Sequence, residues 1–226
     1  MPRPPAPDAE SLPLPKSPDA PSTAVLQVQN LRFAWPGQPP LFDGLTITLR
    51  PGLHAVCGDD GCGKSTLLAL LAGEHASHTG SVSVDDVSLA ADREAYQARV
   101  FWIDPTTDTF DAVSARAFLA TQPEHHPGFE PAIAHDLAEA LGLTPHLDKP
   151  LYMLSAGSKR KVWLSAAMAS GAPLTLIDQA FAALDAPSTR LLRELLTEAG
   201  EHPRRAFLLA DHEAAPGLPW GQVIDL

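Results

Sequence analysis

The chain has 226 residues, of which 45% are apolar, and a formal net charge of −11. This composition is sufficient for one hydrophobic core, in one domain or two lobes. The negative charge argues against direct nucleic-acid binding, which needs a basic face. The sequence has no apolar run of membrane-spanning length and no secretory signal pattern at its N-terminus. We therefore expect contact with a membrane only through a partner chain.

The first part of the chain differs in composition from the rest. Residues 1–22 carry eight prolines and few large apolar side chains. Such a stretch cannot pack a core, which predicts a disordered or polyproline-like tail, with a proline-motif ligand as the alternative. We expect the folded domain to span residues 23–226. Its two cysteines, Cys57 and Cys62, are expected to be reduced thiols of a cytoplasmic protein.

Strand and helix patterns alternate along the folded domain, which indicates an α/β fold with a mainly parallel sheet. Strands are predicted near 26–33, 45–49, 53–57, 80–84, 100–103, 174–177, 206–209 and 222–224, with a turn at Asp85-Asp86. A helical insert begins near residue 105, with helices around 113–120 and 131–141, and we expect this helical subdomain to end near residue 170.

A phosphate-binding loop is predicted directly after the strand at 53–57. Residues 58–66 read Gly-Asp-Asp-Gly-Cys-Gly-Lys-Ser-Thr, which fits the P-loop pattern G-x-x-x-x-G-K-[ST]. Glycines let the backbone N–H groups turn toward a polyphosphate, and the following helix directs its N-terminal dipole at the same anion. In this pattern the lysine reaches the β- and γ-phosphates and the serine hydroxyl binds Mg²⁺. The predicted nucleotide-binding residues are Gly58, Asp59, Gly61, Cys62, Gly63, Lys64, Ser65 and Thr66.

Two further motifs follow the P-loop. An apolar strand ends in Asp178, the position from which P-loop proteins orient Mg²⁺. Upstream of it, Leu154-Ser155-Ala156-Gly157-Ser158 precedes a helix, which is either a second anion site or an ordinary helix cap. The basic run Lys159-Arg160-Lys161 is either a local basic patch or a solvated helix start.

The order of these motifs resembles the ATP-binding cassette (ABC) ATPase family, over about residues 25–226. The resemblance implies a P-loop NTPase fold with a mainly parallel core sheet, an antiparallel N-terminal β subdomain and a helical insert. Residues 154–158 are similar to the family's signature motif, which binds the γ-phosphate of ATP held by the opposite subunit. Leu-Ser-Ala-Gly is also similar to haem-exporter-type cassettes of cytochrome c maturation, but one residue does not identify a substrate.

The resemblance assigns roles to further residues. Trp35 matches the aromatic residue that stacks on adenine, with Phe33 as the weaker candidate and packing on the sheet as the alternative role. Asp185 matches the D-loop, and His212 matches the switch histidine that contacts the γ-phosphate. Ser155, Ala156 and Gly157 would complete a site on the partner subunit.

Two positions depart from the family pattern. Gln179 follows Asp178 where the family has Glu, the general base for the attacking water. An amide cannot accept a proton from water, although it can orient the water molecule. Asp104 stands where the family has a glutamine that binds Mg²⁺ and water. Its carboxylate is an oxygen ligand of the kind that Mg²⁺ prefers and would restore a carboxylate near the metal. The alternative is sequence drift in a subunit whose ATP hydrolysis is dispensable.

The sequence thus predicts an ATP-binding subunit of an ABC transporter, with ATP and Mg²⁺ as cofactors. The expected catalytic residues are Gln179, His212 and Asp104, and the expected Mg²⁺ ligands are Ser65, Asp178 and Asp104. The chain would pair with a second copy or another cassette and drive a separate transmembrane permease from the cytoplasmic face of the membrane. Hydrolysis is expected to be slow. The alternative is a regulatory or structural ATP-binding protein that does not hydrolyse ATP.

Overall fold

A computed structural model describes residues 24–76 and 79–226. The predicted proline-rich tail, residues 1–22, lies outside this part of the chain. The strands are β1 (Leu26–Ala34), β2 (Pro40–Leu49), β3 (Gly52–Cys57), β4 (Thr79–Val84), β5 (Val87–Ser88), β6 (Val100–Phe101), β7 (Leu174–Asp178), β8 (Ala206–Asp211) and β9 (Trp220–Asp225). The helices are α1 (Lys64–Leu71), α2 (Arg93–Gln97), α3 (Ala115–His125), α4 (Pro131–Ala140), α5 (Ala156–Ala169) and α6 (Ala186–Gly200).

The N-terminal strands form an antiparallel sheet in the order β2-β1-β4-β5. This confirms the predicted antiparallel part of the fold. The turn predicted at Asp85-Asp86 is also confirmed, because both residues have positive φ angles, 46° and 62°, between β4 and β5. Left-handed backbone at both central residues matches the twist of a two-residue hairpin, and Asp tolerates it better than most residues.

The central sheet has the order β6-β7-β8-β3-β9, and its strand pairs are parallel. Its two faces pack into two different cores. Along β8, Phe207 and Leu209 face the core shared with α3, α4, α5 and α6, whereas Leu208 and Ala210 face the core shared with α1 and the antiparallel sheet. Burial on both faces explains why apolar residues occupy consecutive positions in β3, β7 and β8.

Two local predictions need correction. The strand predicted at 100–103 ends at Phe101, and Trp102 and Ile103 line a cavity instead. Pro105 lacks the N–H group that a strand continuing through this segment would need. The short helix α2 was not predicted; it begins where the Asp92 carboxylate accepts a hydrogen bond from the Ala95 N–H group. Among the described residues, no helix is both long and apolar enough to cross a membrane.

Candidate nucleotide-binding site

The P-loop connects the end of β3 to the start of α1, as predicted. Gly58, Gly61 and Gly63 have φ angles of 151°, 79° and 109°, which side-chain-bearing residues rarely adopt. A Cβ atom at Gly58 would lie 2.7 Å from the Cys62 sulfur, so this position also lacks space for a side chain. Both cysteines are free thiols. The local backbone therefore depends on glycine at these positions.

Lys64 is buried at the first turn of α1. Its Nζ atom donates hydrogen bonds to the carbonyl oxygens of Gly58 at 2.7 Å and Asp59 at 2.8 Å. The ammonium group thus lies inside the curve of the loop, next to the N-terminus of the helix. Both features place positive potential at the same point, which favours a polyanion.

Ser65 and Asp178 meet where α1 approaches the end of β7. The Ser65 hydroxyl donates a hydrogen bond to Oδ2 of Asp178 at 2.5 Å. Asp178 is 6% exposed, and its Oδ1 has no hydrogen-bond partner among the residues that the structure describes. Burial raises the pKa of Asp178, against the lowering effects of the Ser65 hydrogen bond and of Arg160 and Lys64. A buried carboxylate oxygen without a partner, beside a hydroxyl group, fits a Mg²⁺ site.

Asp104 lines a cavity that Ser65 and Asp178 also line. This cavity has a volume of about 210 Å³ and is lined by Ser65, Thr66, Ala69, His75, Trp102, Asp104, Pro105, Thr106 and Asp178. The Asp104 carboxylate is exposed and accepts hydrogen bonds from the N–H and hydroxyl groups of Thr106 at 2.8 and 2.7 Å. Its charge raises the pKa of Asp178 further. The structure therefore brings Ser65, Asp178 and Asp104 together at one cavity.

Gln179 and His212 lie at the same edge of the sheet. Gln179 is exposed and has a left-handed backbone, with φ of 47°. The Nε2 atom of His212 lies 3.3 Å from Oδ1 of Asp60 in the P-loop. The carbonyl oxygen of His212 accepts a hydrogen bond from the Gly58 N–H group at 3.3 Å. His212 is thus joined to the P-loop by both its backbone and its side chain.

The residues similar to the signature motif lie at the start of α5, where Ser155 and Ala156 are exposed and Leu154, Gly157 and Ser158 are half-buried. The Ser155 hydroxyl caps the helix by accepting a hydrogen bond from the Ser158 N–H group at 3.1 Å, and Ala156 begins the helix. A Cβ atom at Gly157 would collide with the carbonyl oxygen of Ala183. Asp185 caps α6, and its pKa is lowered by hydrogen bonds from Lys161 and Ser188. The start of the signature motif at Gly157 and the D-loop segment at Ala183 therefore lie in close backbone contact.

Trp35 follows the end of β1 and is 42% exposed. It makes edge-to-face contacts with Phe33 at 5.0 Å and with His75 at 5.3 Å between ring centroids. Phe33 is buried, which leaves Trp35 as the more accessible ring of the two candidates. Trp35 thus combines packing on the sheet end with an accessible face.

Lys159, Arg160 and Lys161 are half-buried, so the alternative of a solvated helix start does not hold for this basic run. Lys159 pairs with Asp111 at 2.5 Å, and Lys161 pairs with Asp185 at 2.6 Å. Arg160 donates from Nη1 to the carbonyl oxygen of Asp178 at 2.5 Å. These acceptors are 18 to 48 residues away in the chain, and no local pattern indicated them.

Fold and site together define a P-loop nucleotide-binding protein. A sequence profile of the family described as ABC transporter matches residues 42–182. The chain belongs to this family, as one of its ATP-binding members.

Individual relatives agree with this assignment. The cytochrome c biogenesis ATP-binding export protein CcmA of Pseudomonas syringae pv. syringae is 30% identical over 204 residues, which cover 89% of this chain and 94% of the relative. The taurine import ATP-binding protein TauB of Chromobacterium violaceum is 31% identical over 205 residues, covering 86% and 75%.

Solved structures show the same fold. An ATP-binding subunit of an ABC transporter superposes with a TM-score of 0.74 at 24% identity, covering 83% of this chain and 79% of that chain. An ABC transporter ATP-binding protein from Pyrococcus furiosus superposes with a TM-score of 0.71 at 18% identity, covering 89% and 96%. The predicted P-loop NTPase fold of the ABC type is confirmed.

Replacing Asp178 with Asn tests the electrostatics of the site. Because burial raises the pKa of Asp178, its ionised form opposes folding, and Asp178→Asn should raise the melting temperature of the nucleotide-free protein at pH 8. As the pH falls through the raised pKa, wild type loses the same charge, so the difference in melting temperature should shrink. Thermal unfolding followed by circular dichroism between pH 4.5 and 8 measures both effects. A variant less stable than wild type at pH 8 would contradict this account.

Proposed function

We propose that this chain binds Mg²⁺-ATP and powers a separate membrane-embedded permease. The observation that carries the proposal is the hydrogen bond from Ser65 to Asp178, beside a P-loop whose lysine is buried at the helix start. The names of the relatives support it, since they describe ATP-binding proteins of import and of export systems. Those names cover both directions, so the proposal assigns no direction of transport. The chain would work at the cytoplasmic face of the membrane, through the permease.

Different residues of the site would bind the phosphates, the metal ion and the adenine base. Lys64 and the N-terminus of α1 would hold the phosphates by charge and by backbone N–H groups. Ser65, Asp178 and Asp104 supply hard oxygen ligands of the kind that Mg²⁺ prefers. Trp35 offers an accessible ring for the adenine base. When bound, Mg²⁺-ATP supplies a phosphoanhydride bond whose hydrolysis releases the free energy for transport.

We also propose that two cassettes complete each other's sites. Ser155, Ala156 and Asp185 are exposed, and Gly157 keeps the signature start close to the D-loop backbone. Exposed hydroxyl and N–H groups at a helix start can bind an anion held by another subunit. The second cassette is either a further copy of this chain or a different family member.

Hydrolysis in this chain would be slow. Gln179 can orient a water molecule but has no useful basicity. Asp104 is a carboxylate at the same cavity as Ser65 and Asp178, and it is the candidate that replaces the missing charge. His212 would contact the γ-phosphate. A second candidate function, ATP binding without turnover in a regulatory or structural role, is favoured by Gln179 alone.

A comparison of three variants separates these functions. Wild type should hydrolyse ATP slowly, Asp104→Asn should remove that activity, and Gln179→Glu should raise turnover by about 10²–10⁴-fold, the usual contribution of a general base. Lys64→Ala is the control for contaminating ATPases. Phosphate release from purified chain measures all four, with and without the permease. Inactivity of both wild type and Gln179→Glu, despite ATP binding, would favour the non-hydrolysing alternative.

Association tests the two-cassette arrangement. Mg²⁺-ATP should convert wild type from one chain of 24.0 kDa to a dimer, and Mg²⁺-ADP should not, because the signature motif would contact the γ-phosphate. Gly157→Ala should prevent the dimer, since its Cβ atom would displace the backbone at Ala183. Light scattering at saturating nucleotide gives the mass. If the ATP-bound protein has the mass of a single chain, the homodimer is contradicted. Pairing with a different cassette would then be the arrangement to test.

A further inference from the structure

We propose that Arg160 is a positioning residue for the hydrolytic site, because it holds the peptide bond between Asp178 and Gln179 in place. The proposal rests on the function proposed above, in which Gln179 orients the attacking water. It adds a side chain from α5 that the family resemblance did not assign.

Arg160 occupies a position where the sheet ladder leaves an acceptor open. Strand β6 pairs with β7 only at Leu174 and Thr175, so the end of β7 lies beyond the last β6 pair. There the Arg160 Nη1 atom donates to the carbonyl oxygen of Asp178 at 2.5 Å. Arg160 lines a small cavity together with Pro105, Trp163 and Asp178. The arginine thus takes the role that a longer β6 would have had.

The peptide that Arg160 holds leads into a strained residue. Gln179 has φ of 47°, and a left-handed backbone is unfavourable for a residue with a Cβ atom. Such strain persists only where surrounding contacts determine the conformation. The Gln179 N–H group donates to the Ala210 carbonyl oxygen at 2.8 Å, and its own carbonyl accepts from the Ala182 N–H group at 3.0 Å. Together with Arg160, these hydrogen bonds define both peptides that flank Gln179.

Charge keeps the arginine at this position. Burial lowers the pKa of Arg160, and the nearby carboxylates of Asp178 and Asp211 oppose this shift and so favour the charged guanidinium. A neutral side chain of similar length would supply neither this charge nor the planar donor group.

The contact also joins two functional segments. Arg160 lies on α5, and Ser155, five residues before it, is the N-cap residue of the same helix. A shift of α5 would therefore move the Asp178–Gln179 peptide, and with it the amide of Gln179.

Hydrogen exchange tests the clamp without requiring activity. In Arg160→Met, the amides of Gln179 and Ala182 should exchange at least about tenfold faster than in wild type, since local opening loses about 1.4 kcal/mol of protection. Arg160→Lys should restore part of the protection. Arg116→Met is the matched control, because Arg116 pairs with Asp148 at an exposed position. Unchanged exchange in Arg160→Met, or equal acceleration in Arg116→Met, would overturn the proposal.

Kinetics test the consequence, in a Gln179→Glu background chosen for measurable turnover. Adding Arg160→Met should lower kcat by about tenfold or more with little change in KM, as expected for a misplaced group that acts only in the transition state. Arg160→Lys should recover part of kcat. Equal effects on kcat and KM, or no recovery with Lys, would indicate a merely structural role and overturn the proposal. Failure of the proposed function gives a different result. The Gln179→Glu protein would then bind no Mg²⁺-ATP, while the faster hydrogen exchange in Arg160→Met would still be observed.

Discussion

The parallel pairing of β3, β8 and β7 is the constraint on which the site depends. Cys57 pairs with Asp211, and Ala210 pairs with Asp178, so three strands end at one edge of the sheet. The P-loop, the His212 segment and Gln179 each begin where one of these strands stops. Parallel strands have their carboxyl ends on the same side, which is why residues more than a hundred positions apart meet there.

Two features of the site destabilise the folded protein, and packing of the two hydrophobic cores offsets them. Asp178 is a buried carboxylate with one oxygen that has no hydrogen-bond partner within residues 24–76 and 79–226, and Gln179 has a strained backbone. Each feature opposes folding of the nucleotide-free protein. The sheet beneath them is packed on both faces by large apolar clusters, so it tolerates these costs at its edge. The features that oppose folding are the ones suited to a metal ion and a water molecule.

Local motifs were predictable from the sequence, and contacts across the fold were not. The P-loop and Asp178 were found because their residue types follow apolar strands in a recognisable order. The contacts of Arg160 and Lys159 escaped prediction because they depend on how α5 packs against β7 and on where Asp111 lies. The end of β6 was misplaced because the apolar run continues to Ile103 although the ladder does not. The domain boundaries and the roles of Asp104 and Gln179 stay predictions.

The central claim is that Ser65 and Asp178 together bind the metal ion of a P-loop nucleotide. Calorimetric titration of ATP with Mg²⁺ and with EDTA, for wild type and Ser65→Ala, tests it directly. The account predicts that Mg²⁺ strengthens ATP binding to wild type, and that Ser65→Ala loses most of this gain, about 1.5–3 kcal/mol for a contact to a charged group. The same Mg²⁺ dependence in both proteins would contradict the claim.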